Sequence, residues 1–126
     1  MIRFQREMMI PAINRAFAGL RWLDVDIKES AGDFKFSFEM PGAMKDDVKI
    51  WVERNVLTVS CEKREVEKEG EKKIHGERVY GKFERSFRLP DHVDGNNIKA
   101  EFVNGILVVT VPKGVEAKPK EITIQG

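Results

Sequence analysis

The stretch Ala100-Glu101-Phe102-Val103-Asn104-Gly105-Ile106-Leu107-Val108-Val109-Thr110-Val111 decides the fold. Asn-Gly between two apolar runs is the strongest short-range signal for a β-hairpin, because both residues tolerate the positive φ of a tight type I′ turn. This turn pairs Val103 with Ile106 and places six apolar side chains on one face of the ribbon: Ile98, Ala100, Phe102, Leu107, Val109 and Val111. A hairpin with one apolar face needs a second layer to cover it.

A second stretch, from Val48 to Cys61, repeats this pattern. If Arg54-Asn55 forms a two-residue turn, the opposed apolar residues are Val48, Ile50 and Val52 on one strand and Leu57, Val59 and Cys61 on the other. Arg54 lacks the freedom of glycine at positive φ, so a longer turn is the alternative. Cys61 lies on the apolar face in this register. We interpret it as a buried structural thiol rather than a nucleophile, since the spacing places no base beside it.

Three further segments alternate with a period of two and are predicted to be strands. Their inward residues are Leu23, Val25 and Ile27; Phe34, Phe36 and Phe38; and Phe83, Phe87 and Leu89. Arg85 shares the inward face of the last segment. A buried guanidinium needs hydrogen-bond acceptors, and breaking such a pairing typically costs about 3–5 kcal/mol. The alternative is a surface strand whose two faces are both partly exposed to solvent.

Length and composition limit the class of protein. The 126 residues predict one domain with modest extensions. Charged residues make up 34% of the chain, yet the net charge is only +1, which gives no electrostatic case for nucleic acid, an anionic membrane or an acidic substrate as the main partner. No apolar run is long enough to span a bilayer, and charged residues interrupt the first twenty positions. With a single cysteine, these features predict a cytoplasmic protein.

No constellation of catalytic or ligating residues is visible in the sequence. The phosphate-loop sequences Gly-Lys-Ser and Gly-Lys-Thr do not occur, and His75 and His92 stand apart with no cysteine or histidine at ligand spacing. The acidic pair Asp46-Asp47 is better explained by a turn. The sequence therefore predicts neither an enzyme nor a bound metal or other cofactor.

Residues 1–21 differ in character from the rest and are interpreted as a short helical or disordered N-terminal arm. Apolar residues recur at helical spacing after Pro11. Three interpretations stay open: a frayed or domain-packed segment, an organelle transit peptide, and an adaptable contact surface, since thioether side chains repack against many shapes. The contact surface would use Phe4, Met8, Met9, Ile13 and Phe17.

A charged excursion follows Cys61. Ten of the twelve residues from Glu62 to Lys73 are charged, five of each sign, so this segment is solvated and cannot form a core. Ile74, Val79 and Tyr80 come next and indicate a short strand at the end of a long excursion; a flexible loop is the alternative. Such an arm can pair with an exposed sheet edge, including that of a neighbouring subunit.

Residues 114–126 are interpreted as a C-terminal extension that ends in Ile122-Thr123-Ile124. Docked in a groove at a sheet edge, the two isoleucines would contribute about 1.5–3 kcal/mol each before ordering costs. An ordinary last strand of the same domain is the alternative. In the opening hairpin, Ile106 and Val108 face away from the core and need a cover, so they are the predicted groove for this tail.

Together these residues resemble the small heat-shock protein (α-crystallin-related) family, of the non-animal type. The resemblance runs from about Trp22 to the C-terminus, and its most specific parts are Ala100-x-x-x-Asn104-Gly105-x-Leu107, Gly81-x-Phe83-x-Arg85-x-Phe87-x-Leu89-Pro90 and Ile122-x-Ile124. It implies an all-β fold: an antiparallel, immunoglobulin-like β-sandwich of seven to eight strands over residues 22–113, flanked by the arm and the tail.

The resemblance also implies a function, that of an ATP-independent chaperone (a holdase) that binds unfolding proteins through exposed apolar surface and prevents their aggregation. In the non-animal branch the long excursion carries a strand exchanged between subunits, which implies a homodimer built through Ile74, Val79, Tyr80 and Arg85. The terminal Ile-x-Ile would link dimers into a larger homo-oligomer. The alternative from another class is a sandwich adaptor or co-chaperone, monomeric or dimeric, that binds one specific partner.

Overall fold

The fold is a two-layer β-sandwich in the computed structural model, which describes residues 22–114 and 122–125. Seven strands lie in these ranges: β1 (Val25–Glu29), β2 (Asp33–Glu39), β3 (Val48–Glu53), β4 (Val56–Lys63), β5 (Gly81–Arg88), β6 (Lys99–Val103) and β7 (Ile106–Pro112). A 3₁₀ turn over Lys45–Asp47 precedes β3. The strands form a four-stranded sheet in the order β1-β2-β7-β6 and a three-stranded sheet in the order β3-β4-β5. All pairings are antiparallel, so the predicted fold class is confirmed.

The hairpin of β6 and β7 has the predicted register. Val103 pairs with Ile106, and Asn104 and Gly105 have φ angles of 54° and 77°, as a type I′ turn requires. Along β7 the inward side chains Leu107, Val109 and Val111 are buried. Those on β6 are only half-buried or exposed, because β6 is the last strand of its sheet.

The hairpin of β3 and β4 also has a two-residue turn, so the longer alternative does not occur. Val52 pairs with Leu57, and Arg54 and Asn55 adopt φ angles of 50° and 65° without any glycine. A tertiary contact stabilises this conformation: the Asn55 side-chain amide donates to the Leu89 carbonyl at 2.5 Å, and the Leu89 amide donates to the Asn55 carbonyl at 2.8 Å.

Aromatic side chains from both sheets meet in the core. The Phe36 and Phe87 rings, from opposite sheets, lie with centroids 5.5 Å apart in a tilted arrangement. Cys61 is buried on β4, and burial raises the pKa of its thiol. The other residues buried to 1% exposure or less are Leu23, Phe34, Phe38, Met40, Leu57, Val59, Leu89, Val109 and Val111. Their burial excludes water from between the sheets and holds the sandwich together.

The excursion between β4 and β5 forms no strand over residues 64–80. Lys63 pairs directly with Gly81, so the excursion leaves the sheet and rejoins it at one point. The short strand expected around Ile74 and Tyr80 is therefore not formed within a single chain, because a strand needs a partner edge and this segment extends away from its own sheets.

Candidate interaction surfaces

Arg85 joins the two sheets at the side where β1 lies over β5. Its Nη1 donates to the Leu23 carbonyl at 2.7 Å, and its guanidinium carbon lies 3.6 Å from the centroid of the Trp22 ring. Burial lowers the pKa of the guanidinium, and the Asp24 carboxylate opposes that shift. Of the two alternatives for this strand, the structure has the buried arginine. The charge is stabilised by a carbonyl and two aromatic faces, the second being Phe87 at 5.0 Å.

A groove of about 810 Å³ runs along the same side of the sandwich. It is bordered by β1 over Val25 to Lys28 and by Trp22 and Arg85. β1 is the first strand of its sheet, so one side of its backbone has no strand beside it among the described residues. An edge strand beside a groove can accept an added strand from another chain.

Several side chains of the excursion contact one another. Lys73 Nζ lies 2.9 Å from Glu65 Oε1, and this hydrogen bond raises the pKa of Lys73. Lys73 and Arg78 both lie over the Tyr80 ring, at 5.6 and 5.5 Å. Ile74 is 96% exposed. Of the predicted dimer arm, Ile74 and Val79 are thus in solvent, Tyr80 is half-buried at the base, and Arg85 lies in the sandwich.

The predicted tail and its predicted groove do not meet within the described residues. Ile122 and Ile124 are 83% and 95% exposed, and 122–125 form no strand, which argues against an ordinary last strand of this domain. Ile106 is 39% exposed and Val108 is half-buried, both on the outward face of β7. Their cross-strand neighbours on β2 are polar, Glu39 beside Ile106 and Ser37 beside Val108.

A second apolar surface, which the sequence reasoning missed, lies at the opposite side of the sandwich. Because β1 lies over β5, the edge strands β3 and β6 lie at the other end of the two sheets. Their inward side chains close the core only in part: Ile50 and Phe102 are half-buried, while Val52 and Ala100 are exposed. The alternation of Val48, Ile50 and Val52 was visible in the sequence, but nothing there identified β3 as an edge.

Other predicted features fall outside these surfaces. The predicted client-contact residues Phe4, Met8, Met9, Ile13 and Phe17 lie outside the described residues. Within residues 22–114 and 122–125, no group of histidine, cysteine, aspartate or glutamate side chains could hold a metal ion. In the same ranges no helix has the length and apolarity to cross a membrane.

The fold and its exposed segments define the class: an antiparallel β-sandwich that carries apolar arms in solvent. The model of the Hsp20/alpha crystallin family matches residues 26–125. The chain therefore belongs to this family, and the predicted family is confirmed.

Similar proteins from plants fit the predicted non-animal type. The 22.0 kDa heat shock protein of Arabidopsis thaliana is 50% identical over 91 residues, which are 71% of this chain and 47% of that protein. The 16.9 kDa class I heat shock protein 1 of Triticum aestivum is 43% identical over 128 residues, covering 94% of this chain and 83% of the relative. The chain thus matches about half the length of the Arabidopsis relative.

Solved structures agree with the sandwich. Heat shock protein 16.0 from Schizosaccharomyces pombe has a TM-score of 0.72 and 32% identity, and the match covers 94% of this chain and 85% of that one. A small heat-shock protein from Xylella fastidiosa, described as having a distinct high order structure, has a TM-score of 0.69 and 30% identity, with 82% and 96% covered. Both are named as heat-shock proteins.

Proposed function

We propose that this protein is an ATP-independent chaperone that binds unfolding proteins through apolar surface and prevents their aggregation. The observation that carries the proposal is the exposure of large apolar side chains on segments with no place in the core, with Ile74, Ile122 and Ile124 each more than 80% exposed. Exposed apolar groups of this kind mark interaction sites or aggregation hazards. Binding would be stoichiometric and hydrophobic, with the cytoplasm as the proposed location.

The proposed assembly begins with a homodimer made by strand exchange. The excursion of one subunit would lie along β1 of its partner, placing Ile74, Val79 and Tyr80 against the groove lined by Trp22 and Arg85. Backbone hydrogen bonds to the edge of β1 would supply the affinity, and the apolar side chains the register. This pairing gives the exposed isoleucine and valine of the excursion a cover.

Dimers would then be linked through the tail, with Ile122 and Ile124 docked on Ile106 and Val108 of a neighbouring dimer. Each such contact contributes only about 1.5–3 kcal/mol per isoleucine before ordering costs, so single contacts open readily and many together hold the oligomer. Opening releases subunits whose apolar segments, including the arm with Met8, Met9 and Phe17, can meet a client.

The direct test is light scattering of a thermolabile enzyme heated with and without this protein, no nucleotide added. Equimolar subunits should suppress the rise in scattering. Changing Met8, Met9 and Phe17 to Ser should weaken suppression, whereas Met44→Ser, at a 68% exposed methionine of the domain, should not. Unsuppressed aggregation together with a monomer on a sizing column would favour the alternative, an adaptor for one specific partner.

A further inference from the structure

The outward face of the four-stranded sheet separates its charges by sign along the strands. The register places the outward residues of β1, β2, β7 and β6 in rows that cross the sheet. One row has three lysines and a threonine: Lys28, Lys35, Thr110 and Lys99. The next row has a carboxylate at each end: Asp26, Ser37, Val108 and Glu101. The third row has two acidic and then two apolar residues: Asp24, Glu39, Ile106 and Val103. The face thus has a basic end and an acidic end.

This separation of charge is unfavourable within one subunit. Lys28 and Lys35 are exposed and directly opposite each other on neighbouring strands, and like charges in that position destabilise a sheet. At the acidic end, Glu39 lies beside Asp24, whose carboxylate also interacts with Arg85. Within residues 22–114 and 122–125, the salt bridges include none of the lysines or carboxylates of the three rows. A partner surface with the opposite arrangement of charge would offset this repulsion.

Apolar side chains lie beside the charges on the same face. Ile106 and Val103 are 39% and 56% exposed, and Val108 is half-buried. Apolar side chains surrounded by a polar or charged rim are typical of a protein–protein contact. The face stays open in the strand-exchanged dimer proposed above, because a strand added at the edge of β1 would extend the sheet in its own plane.

We propose that this face docks on the same face of a second copy, turned by half a turn about an axis that runs across the strands between the two faces. The rotation reverses the strand direction, so the lysine row of each copy lies over the row of Asp26 and Glu101 of the other. In this arrangement β7 lies antiparallel over β7, with Val108 near Thr110 of the second copy. Such a twofold contact uses one patch twice and closes on itself.

The charge pattern distinguishes a second copy from other partners. The three rows contain three lysines and four carboxylates, so a uniformly charged surface such as nucleic acid would be repelled at one end. A second copy turned about an axis along the strands would place lysines over lysines. Of these two axes, only the one across the strands brings opposite charges together in both copies.

The size of the face predicts a weak, reversible contact. Four strands and three rows cover about 400 Å² per copy, about half of what each partner buries in a standard interface. The contact goes beyond the proposed assembly and competes with it at one point, because a tail and a second face cannot both cover Ile106 and Val108. In dilute solution the tails would hold the dimers together, and in concentrated protein at low ionic strength the faces would pair.

Complementary changes of charge in the full-length protein test the contact. They are made in a chain whose two tail isoleucines are changed to Ala, so that tails do not contribute, and circular dichroism checks that each variant folds. The acidic variant has Lys28→Glu and Lys99→Glu, and the basic variant has Asp26→Lys and Glu101→Lys. In sedimentation velocity on concentrated protein at low ionic strength, each variant alone should associate less than the parent, whereas the mixture should associate about tenfold more tightly than either variant alone. Salt at about 1 M, where the Debye length is about 3 Å, should abolish the association.

A matched control pair has the same changes of charge on the outward face of the other sheet. It consists of Lys49→Glu with Lys82→Glu, and Glu53→Lys with Glu62→Lys, all at exposed positions. These variants have the same net charges as the first pair, so they measure the attraction between oppositely charged chains alone. If the first pair associates no more tightly than the control pair, the proposal is wrong, whatever the tail variant or the client-aggregation assay shows.

Carbodiimide coupling of the unchanged protein gives a second measurement, since this reagent joins a lysine to a carboxylate that it contacts. Isotope-labelled and unlabelled subunits are mixed before coupling. Crosslinks between the two labels should join Lys28 to Asp26 and Lys99 to Glu101. If these crosslinks are absent, or if the lysines are joined instead to the excursion or the tail of the other copy, the second face is not the partner.

Discussion

The two lateral sides of the sandwich, where the sheets end in edge strands, are held by different kinds of interaction. At the β1/β5 side a buried arginine joins the sheets, through the Leu23 carbonyl and the Trp22 ring. At the β3/β6 side there is no such bridge among the described residues, and the half-buried side chains that pack against the core there include the apolar Ile50 and Phe102. A directional, charged contact has one good geometry, whereas apolar surface accepts many partners. The first side therefore suits a fixed contact, and the second suits a reversible one.

The largest expected effect follows from removing the excursion beside the β1/β5 side. Because Lys63 pairs with Gly81, residues 64–80 can be replaced by Asn-Gly, which closes β4 and β5 with a two-residue turn. The domain should stay folded by circular dichroism. With Ile122 and Ile124 also changed to Ala, so that the tail does not link dimers, light scattering should report monomers in place of dimers. A full-length variant with Ile74→Ser and Val79→Ser is the matched control and should weaken the dimer in the same direction. Dimers that survive the deletion would refute strand exchange.

Arg85→Met tests the fixed contact itself. The Leu23 carbonyl loses a charged donor, worth about 1–3 kcal/mol, and the Trp22 ring loses its cation, worth about 0.5–2 kcal/mol. The free energy of unfolding in urea should fall by about 2–4 kcal/mol at equal subunit concentration. Arg88→Met, at an exposed position of the same strand, should change it by less than about 0.5 kcal/mol. If Arg85→Met and Arg88→Met lower the free energy of unfolding equally, the buried arginine contact does not stabilise the β1/β5 side.

A smaller effect is expected at the reversible contacts. Replacing Ile122 and Ile124 by Ala should reduce the mass of the oligomer to that of the dimer, since about 1.5–3 kcal/mol per isoleucine is lost. Val108→Glu should do the same if the tail docks on the outward face of β7. Ala100→Glu, on the β3/β6 side, should then leave the mass unchanged. If Ala100→Glu reduces the mass and Val108→Glu does not, the tail docks at the β3/β6 side. An unchanged mass in the tail variant, Val108→Glu and Ala100→Glu would refute tail docking.

The smallest effect concerns Cys61, which pairs with Val48 on β3 and Phe83 on β5 and so reports opening from either side. Burial raises the pKa of its thiol, so less thiolate is present at pH 8 than in a free thiol, and alkylation should be slow. The rate should rise with pH through and above 9, the ordinary value. Arg85→Met should speed alkylation more than Ala100→Glu does. Rapid alkylation of the unchanged protein at pH 8 would contradict a closed core.

Much of the fold was predictable because its signals are local. The Asn104-Gly105 turn and the alternation on both sides of it determine the register of β6 and β7, and the same arithmetic gave that of β3 and β4. The inward Phe34, Phe36 and Phe38 follow from a period of two. The turn at Arg54-Asn55 was less certain, because its positive φ angles are stabilised by Leu89, which is distant in the sequence.

The interaction surfaces were less predictable, since each depends on which strands end a sheet. The sequence identified the exposed segments around Ile74 and Ile122, because charge and proline separate them from the core. The sequence did not predict that the Trp22 ring stacks on Arg85, that Ala100 is exposed, or that Glu84 is buried on an outward face. Local alternation determines which side of a strand is apolar. Only the packing of distant strands determines which apolar sides, and which charges, remain for another chain or another segment to cover.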